Sequence, residues 1–265
     1  MKFRFQRKYF SIPYVIFLSL FVVIPILLII YYAFSDKTGQ LSLEAAKNFF
    51  SDTTKLEVIL VSFFIAIQTT VICLIIGYPL AYFLANKKYN KNAVLIMLFI
   101  MPMWINFVLR TWATREVLMW FSLGGADKPY TATLIGMVYN FLPFAILPLY
   151  TTMLKLDRSQ MEAASDLGAS PFRVFLTNVI PQSLPGIISA ITMTLVPVMS
   201  SYVISSTLSE GKVTLIGDSI YLNFSNNQWN DGSFMAVLLL ILVFFSMLLS
   251  SGEKNAAEDR GGGLW

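Results

Sequence analysis

The chain has 265 residues, of which 56% are hydrophobic and 13% are charged, and its formal net charge is +4 at pH 7. Because soluble globular domains carry about 25% charged residues, this composition excludes a fold with a fully hydrated surface and indicates a membrane protein. The chain has no histidine and one cysteine, Cys73, which excludes disulfides within the chain, Cys/His zinc sites and catalysis by Ser-His-Asp or Cys-His groups.

Six apolar segments are long enough, or nearly so, to cross a bilayer, because a helical crossing takes about 20 mostly apolar residues. They are residues 11–34, 57–86, 92–113, 131–154, 184–206 and 233–251. The first segment follows the basic start MKFRFQRK, but it is too long for a signal peptide and no small-residue cleavage site follows it. We therefore predict a basic N-terminus at 1–10, a six-helix membrane domain at 11–251 and a loosely ordered polar tail at 252–265.

Basic residues predict the orientation of these segments, because Lys and Arg are enriched in the cytoplasmic loops of membrane proteins. If the six segments alternate in direction, twelve Lys and Arg fall on the side of the two termini and seven fall on the other side. We therefore expect both termini in the cytoplasm. The loop between the fourth and fifth segments is then cytoplasmic as well.

That loop carries the signals of a short, well-capped helix. Asp157 is placed as its N-cap, and Gln160 stands three residues later as a capping-box partner. Gly168 stands where a left-handed residue would close the helix.

A second helix is predicted directly after this closure. Ser170 is placed as its N-cap and Pro171 as its first residue. We expect Pro181 and Pro185–Gly186 to interrupt this helix before the fifth segment. Its apolar stripe consists of Phe172, Phe175, Leu176 and Val179. A rigid helix–turn–helix of this kind is a candidate docking element, and the alternative is an amphipathic helix that lies on the bilayer.

The stretch EAASDLGASPFRVFLTNVIP, which starts at Glu162, resembles the EAA loop of ABC-type importer permeases. The pattern of that family is Glu-Ala-Ala, three residues, Gly, nine residues, and then Ile-x-Leu-Pro. Asn178 stands where the pattern has Ile, and Ile180 stands where it has Leu. The residues that match are Glu162, Ala163, Ala164, Gly168 and Pro181.

The resemblance covers roughly residues 60–235, and it is strongest to the permeases of spermidine/putrescine importers. The stretches that carry it are IGYPLAYFLAN, FIMPMWINFVLRTWA, GMVYNFLPFAILPLYTTMLKLD and LIGDSIYLNF. It implies an all-α membrane protein with the MetI-like architecture of type I ABC importers, in which six transmembrane helices carry a cytoplasmic coupling helix. It further implies a bacterial cell-membrane permease that forms the path for polyamines. Permeases for iron(III), thiamine, sulfate or molybdate share the fold and the loop, so these substrates stay open as alternatives.

The resemblance also implies partners. The loop at 157–181 would couple to a separate ATPase, with Glu162 and Asp166 as polar contacts and with Ala163, Ala164 and Gly168 keeping the helix slim. The expected assembly contains a second, homologous permease subunit, two copies of the ATPase, which bind ATP and Mg, and an extracellular or periplasmic binding protein.

The chain itself lacks a phosphate-binding glycine loop. Its only Gly-Lys pair, Gly211–Lys212, is followed by Val213, and Ser206 stands in place of the first glycine of such a loop. We therefore expect that this chain is not an enzyme, holds no cofactor or metal, and depends on a partner for ATP hydrolysis.

Polar and aromatic residues at membrane depth are candidates for the substrate path, because placing polar groups in lipid is costly. A polycationic amine suits aromatic faces, through cation–π attraction, and carboxylates at the outer mouth. The path residues that we select are Trp104, Asn106, Tyr139, Tyr202, Glu210 and Asp218. For each of them, packing between helices or anchoring at the interface is the alternative.

Two other classes of membrane protein are considered. An ion-coupled secondary transporter often shows internal repeats, and this sequence has no obvious repeat. An intramembrane enzyme needs a reactive constellation, which a chain without histidine and with one cysteine in an apolar run can hardly provide.

Overall fold

The computed structural model describes residues 11–36, 38–86 and 94–261. Every regular element in these residues is helical, apart from one isolated bridge between Ser35 and Leu41. The α-helices are α1 Ser11–Leu18, α2 Ile24–Ala33, α3 Glu44–Ser51, α4 Thr53–Ala85, α5 Val94–Ile100, α6 Phe107–Trp120, α7 Pro129–Met153, α8 Arg158–Asp166, α9 Pro171–Val174, α10 Ile180–Ser200, α11 Val203–Leu208, α12 Ile216–Ser225 and α13 Trp229–Gly261. The all-α membrane fold predicted from the sequence is confirmed.

Among the described residues, five stretches are long and apolar enough to cross a membrane as one helix. They are Pro13–Ala33, Thr53–Ala85, Pro129–Met153, Pro171–Ser200 and Trp229–Leu248. A sixth candidate is a pair of helices, Val94–Trp104 and Phe107–Trp120, which meet at an angle of 97°. The third apolar segment of the sequence is therefore bent and not a straight helix.

The bend has a local cause in the backbone. A 3₁₀ turn at Met101–Trp104 contains Pro102, and Ile105 then adopts an extended conformation with φ −77° and ψ 140°. Asn106 starts α6 anew as its N-cap, because its side-chain oxygen accepts hydrogen bonds from the backbone N–H groups of Val108 and Leu109 at 2.9 and 3.3 Å.

The chain divides into two compact units, residues 1–57 with 219–241 and residues 58–218 with 242–265, which we call the first unit and the second unit. In the second unit, α4 and α7 run in the same direction. The Tyr130 hydroxyl, at the start of α7, donates a hydrogen bond of 2.6 Å to Gln68, midway along α4. Near the ends of the two helices, Ala85 and Met153 share one apolar cluster. Because two parallel helices would start on the same side of a membrane, this direction agrees with a bent pair that crosses it as one span, which makes six candidate spans among the described residues.

Small residues let the helices of the second unit approach closely. Cys73, Ala81, Ala145 and Ala190 are fully buried in one cluster from α4, α7 and α10, as is common where membrane helices pack. The buried Cys73 thus has the role of a small apolar side chain. Gly186 on α10 lies against Thr152, where an added Cβ would come within 2.7 Å of the Thr152 hydroxyl oxygen.

The fifth span begins earlier than the sequence predicts. The helix runs without a break from Pro171 to Ser200, so the predicted interruption at Pro181 and Pro185–Gly186 is wrong. A π-helical turn at Phe175–Val179 directly precedes Pro181. This wider turn accommodates a proline ring that would otherwise clash with the carbonyl four residues earlier. The same arrangement occurs at Ser19–Val23, just before Pro25.

The first unit joins the end of α2, α3 and the start of α13. The ring of Phe234 packs against those of Phe34, Phe49 and Phe50 at centroid distances of 5.5 to 6.3 Å. The Lys55 ammonium also forms an ion pair of 3.0 Å with Asp231.

The last helix, α13, continues to Gly261, so the described part of the tail predicted from 252 onward is helical. Residues 262–265 and residues 1–10 lie outside the described residues.

Candidate functional site

The polar loop between the fourth and fifth spans begins with a capped helix, α8. The Asp157 carboxylate accepts hydrogen bonds from the hydroxyl and the backbone N–H of Ser159, at 2.7 and 3.0 Å. These bonds, that of the hydroxyl foremost, lower the pKa of Asp157 below its usual value. The predicted N-cap at Asp157 is therefore confirmed.

The second half of the predicted capping box is wrong. The backbone N–H of Asp157 donates to the side-chain oxygen of Gln182 at 2.9 Å, and not to Gln160. The Gln182 amide nitrogen in turn donates to the Gln160 side-chain oxygen at 3.3 Å. Because Gln182 lies on α10, these two bonds tie the start of α8 to the fifth span, which a local sequence pattern does not reveal.

The corner after α8 is closed by Gly168 in the left-handed conformation, at φ +83°. Its N–H donates to the carbonyl of Ser165 at 2.9 Å, and the N–H of Ala169 donates to the carbonyl of Ala164 at 3.1 Å. This is the pair of bonds of a Schellman motif. The prediction for Gly168 is confirmed.

The next helix starts as the sequence predicts. The Ser170 hydroxyl accepts a bond of 3.4 Å from the N–H of Arg173, and Pro171 is the first helical residue. Of the predicted apolar stripe, Val179 is buried, whereas Phe172 is exposed. The stripe therefore does not pack as one face.

The loop presents both polar and apolar groups to the solvent. Glu162, Ala163, Asp166 and Gly168 are exposed, and Ala164 is half-buried. Two apolar side chains flank the corner: Leu167 is 90% exposed and Phe172 is 72% exposed. The sequence places Phe172 in the apolar stripe of the candidate docking element but leaves Leu167 without a docking role, although an apolar residue beside the corner glycine of a polar loop was a signal for it.

A cavity of about 430 Å³ lies beside α8. Its polar lining comes from Arg158, Glu162, Ser165 and Asp166, and its apolar wall comes from the end of α4 and from α9 with the π-helical turn. Two of the residues predicted to couple to a partner, Glu162 and Asp166, thus line a concave surface. This arrangement can receive a side chain of another protein but shows no reactive group.

The candidate path residues Trp104, Asn106 and Tyr139 lie near the bend of the third span. Trp104 is 89% exposed, and the Asn106 side chain caps α6. The ring of Tyr139 lies 5.8 Å from the guanidinium carbon of Arg110, a cation–π distance.

Arg110 is buried at this bend, which the sequence does not predict. Its Nε donates to the side-chain oxygen of Asn140 at 2.8 Å, and one terminal nitrogen donates to the carbonyl of Pro102, also at 2.8 Å. The Asn140 amide nitrogen donates to the carbonyl of Gly136 at 2.9 Å. Arg110 therefore joins both halves of the bent span to α7.

The other three path candidates lie beyond the fifth span. Tyr202 precedes α11 and is 41% exposed. Glu210 pairs with Arg115 at 2.9 Å. Asp218 is only 6% exposed, and its carboxylate accepts bonds from the hydroxyl of Ser205 and from the N–H of Leu215. Burial raises the pKa of Asp218 to about 6.

Comparison with known families gives one match that covers most of the chain. Residues 2–252 match the family described as "Binding-protein-dependent transport system inner membrane component".

Curated relatives are similar over most of their length. The "Spermidine/putrescine transport system permease protein PotB" of Escherichia coli (strain K12) is 34% identical over 215 residues, which are 75% of this chain and 78% of the relative. The protein of the same name from Haemophilus influenzae is 32% identical over 247 residues, which are 85% of this chain and 86% of the relative.

Solved structures share the fold. A bacterial alginate ABC transporter, in complex with an alginate pentasaccharide-bound periplasmic protein, has a chain that matches with a TM-score of 0.71 at 12% identity, over 92% of this chain and 91% of that one. The inward-facing MetNI methionine ABC transporter matches with a TM-score of 0.57 at 18% identity, over 76% of this chain and 95% of that one. At these identities the likeness concerns the fold alone.

Proposed function

Because this chain belongs to the family of binding-protein-dependent transport system inner membrane components, we propose that it is the permease subunit of an ABC importer for the polyamines spermidine and putrescine. Its similarity to the two PotB permeases supports this substrate class. The observation that carries the coupling part of the proposal is the rigid loop around Gly168, which presents exposed polar and apolar groups beside a cavity.

Glu162, Ala163, Ala164, Asp166 and Gly168 form the proposed contact with a separate ATPase. The two carboxylates offer charge to a partner, and the alanines keep the helix thin. Burial of exposed apolar side chains is favourable on association, so two further residues join this contact. They are Leu167 and Phe172.

The proposed assembly has a second, homologous permease subunit, two copies of the ATPase and an extracellular or periplasmic binding protein. ATP and Mg bind to the ATPase. A cavity between the two permeases then changes its access from one side of the membrane to the other when the ATPases close on ATP.

The family consists of inner membrane components, so this chain lies in the membrane. We propose the orientation in which both termini and the loop around Gly168 face the cytoplasm, on the basis of the distribution of Lys and Arg. The loops at 34–52 and 201–228 then face outward.

The substrate path is proposed to include Trp104, Asn106, Tyr139, Tyr202, Glu210 and Asp218. Two of them have additional structural roles, because Asn106 caps α6 and Asp218 anchors the start of α12. A polyamine would meet the aromatic faces of Trp104, Tyr139 and Tyr202 through cation–π attraction.

Uptake and co-purification test this function together. A tagged chain is purified from native membranes, and uptake of labelled spermidine and putrescine is compared in cells with and without it. We expect an ATPase subunit in the purified complex and loss of polyamine uptake without the chain.

Labelled thiamine, iron(III), sulfate and molybdate serve as parallel substrates. Loss of one of these uptakes, with normal polyamine uptake, would contradict the substrate class but keep the importer. A chain that purifies alone and without ATPase activity would contradict the importer itself.

A further inference from the structure

The first unit contains a larger cavity, of about 830 Å³, which the proposed path does not include. It lies between the end of α2, the start of α3 and the start of α13. Cavities that bind small ligands commonly measure about 300–1,000 Å³. The space is therefore suited to a small organic molecule.

The lining of this cavity is acidic. Asp36, Glu44 and Asp231 contribute carboxylates, and the described lining residues include neither lysine nor arginine. Asp231 is paired with Lys55 at 3.0 Å. Lys37 follows Asp36 in the sequence and lies outside the described residues. Among the described residues, the Asp36 and Glu44 carboxylates of the lining form no ion pair, so these two can attract a cation.

One of these carboxylates is held in place by its own loop. One oxygen of Asp36 accepts bonds from the hydroxyl of Thr38 at 2.6 Å and from the N–H groups of Thr38 and Gln40 at 2.8 and 2.9 Å. These bonds, that of the Thr38 hydroxyl foremost, lower the pKa of Asp36 below its usual value. Asp36 is therefore charged at neutral pH. Glu44, in the first turn of α3, is exposed.

Aromatic rings form part of the same lining. Tyr31, Tyr32 and Trp229 line the cavity and are 43 to 50% exposed. The Asn230 amide nitrogen donates to the carbonyls of Tyr32 and Ser35 at 3.0 and 2.7 Å. This bond pair holds the end of the first span against the start of the last one, so the wall is preorganised.

The residue types of the lining suit an organic cation. Among the described residues, no group of three or more His, Cys, Asp or Glu side chains converges closely enough to hold a metal ion. Carboxylates and aromatic rings in one lining match a flexible molecule that carries several ammonium groups.

We propose that this cavity is an outer binding site for a flexible organic cation with two or more ammonium groups, which occupies it before entering the path. The proposal rests on the proposed function, because it places the cavity at the face where a binding protein would release a polyamine. Glu44 and Asp36 hold the ammonium groups, and Tyr32 and Trp229 cover the methylene chain and the charges.

Photolabelling tests the site directly. Membranes that contain the whole transporter are illuminated with a spermidine derivative that carries an aryl azide on one amine, without the binding protein, and the labelled peptides are identified by mass spectrometry. We expect label within residues 31–48 and 226–231, and we expect unlabelled spermidine to compete for it. Mg²⁺ at the same charge concentration should compete weakly.

Matched variants sharpen the test. Glu44→Gln and Tyr32→Leu should each reduce this labelling about five- to tenfold, whereas Tyr32→Phe, which keeps the ring, should label like the wild type. Glu57→Gln is the control, because Glu57 is an exposed carboxylate of the same unit outside the cavity. The amount of chain in the membrane is measured for every variant.

Wild-type spermidine uptake is measured in the same cells. This measurement separates a failure of the proposed binding site from a failure of the proposed importer function. If uptake is present but labelling maps elsewhere, or if Glu44→Gln labels like Glu57→Gln, the site is overturned and the importer function stands. If the wild type neither imports nor binds spermidine, both proposals fail.

Discussion

The side chains of Arg110 and Asn140 meet at 2.8 Å inside the second unit, where the third span bends by 97°. The same guanidinium reaches the carbonyl of Pro102 at 2.8 Å, on the other side of the bend. One buried cation thus connects α6, the turn before it and α7. This contact fixes the direction of α6 relative to α7.

Replacing Arg110 by Ala should therefore destabilise the permease by about 2 kcal/mol, because hydrogen bonds from a charged donor are lost and Asn140 keeps an unpaired oxygen. Arg115→Ala is the control, since Arg115 pairs with Glu210 at a more exposed site and its loss should cost about 1 kcal/mol or less. Thermal unfolding of the purified transporter measures both. Equal losses of stability in the Arg110→Ala and Arg115→Ala variants would contradict the anchoring role of Arg110.

Gly168→Ala should weaken the contact between the loop and the ATPase through backbone strain, without any steric clash. In the described part of the chain, no atom lies within 4 Å of an added Cβ at Gly168, so the cost is the left-handed backbone at φ +83°, about 1–2 kcal/mol. Gly211 has the same open surroundings at φ +76°, and Gly211→Ala is the matched control. We expect that only Gly168→Ala lowers the amount of ATPase that co-purifies. A similar loss from Gly211→Ala would show that strain alone is responsible.

Gln182→Leu should loosen the loop from the fifth span. The change removes the acceptor of the Asp157 N–H and the donor to Gln160. Hydrogen exchange of the amides of α8 should become faster by about a factor of 30, in keeping with about 1 kcal/mol for each of the two lost bonds. Gln228→Leu, at an exposed position in the first unit, is the control. Unchanged exchange in α8 would mean that the tie to Gln182 does not hold the loop.

The burial of Asp218 predicts a stability that depends on pH. Its pKa rises from the ordinary 3.8 to about 6, chiefly because of burial, so the folded chain holds an extra proton between these values. The free energy of unfolding should therefore fall as pH rises from about 4 to about 6, and it should stay at this lower value above pH 6. Asp218→Asn should remove this dependence.

Thermal unfolding between pH 4 and pH 7.5 measures that effect. Ser205→Ala should move the transition to higher pH, because the Ser205 hydroxyl donates to the carboxylate and lowers its pKa. A wild-type chain and an Asp218→Asn chain with the same pH dependence would contradict this account.

The sequence predicts the local parts of this structure well. Asp157, Gly168 and Ser170 act within a few residues of their own positions, so their roles as caps could be inferred from neighbouring residues alone. The number of spans also follows from sequence, because hydropathy depends only on composition along the chain.

Contacts between distant residues could not be predicted in the same way. Gln182 replaces Gln160 as the partner of Asp157 across 25 positions. Arg110 donates a hydrogen bond to Asn140, which lies thirty residues further along the chain. Pro181 fails to end its helix because a π-helical turn precedes it. Each depends on packing between helices, which a pattern of residue types does not encode.

The docking of the loop around Gly168 on a separate ATPase is tested most directly by crosslinking at Leu167, which is 90% exposed. A Leu167→Cys chain, with Cys73→Ala as background, is treated with a benzophenone maleimide in native membranes. Leu41→Cys is the control, at a residue that is 83% exposed. We predict a crosslink from position 167, and none from position 41, to a polypeptide that hydrolyses ATP. Absence of that crosslink, together with reaction of position 167 with a membrane-impermeant maleimide added outside intact cells, would contradict the account.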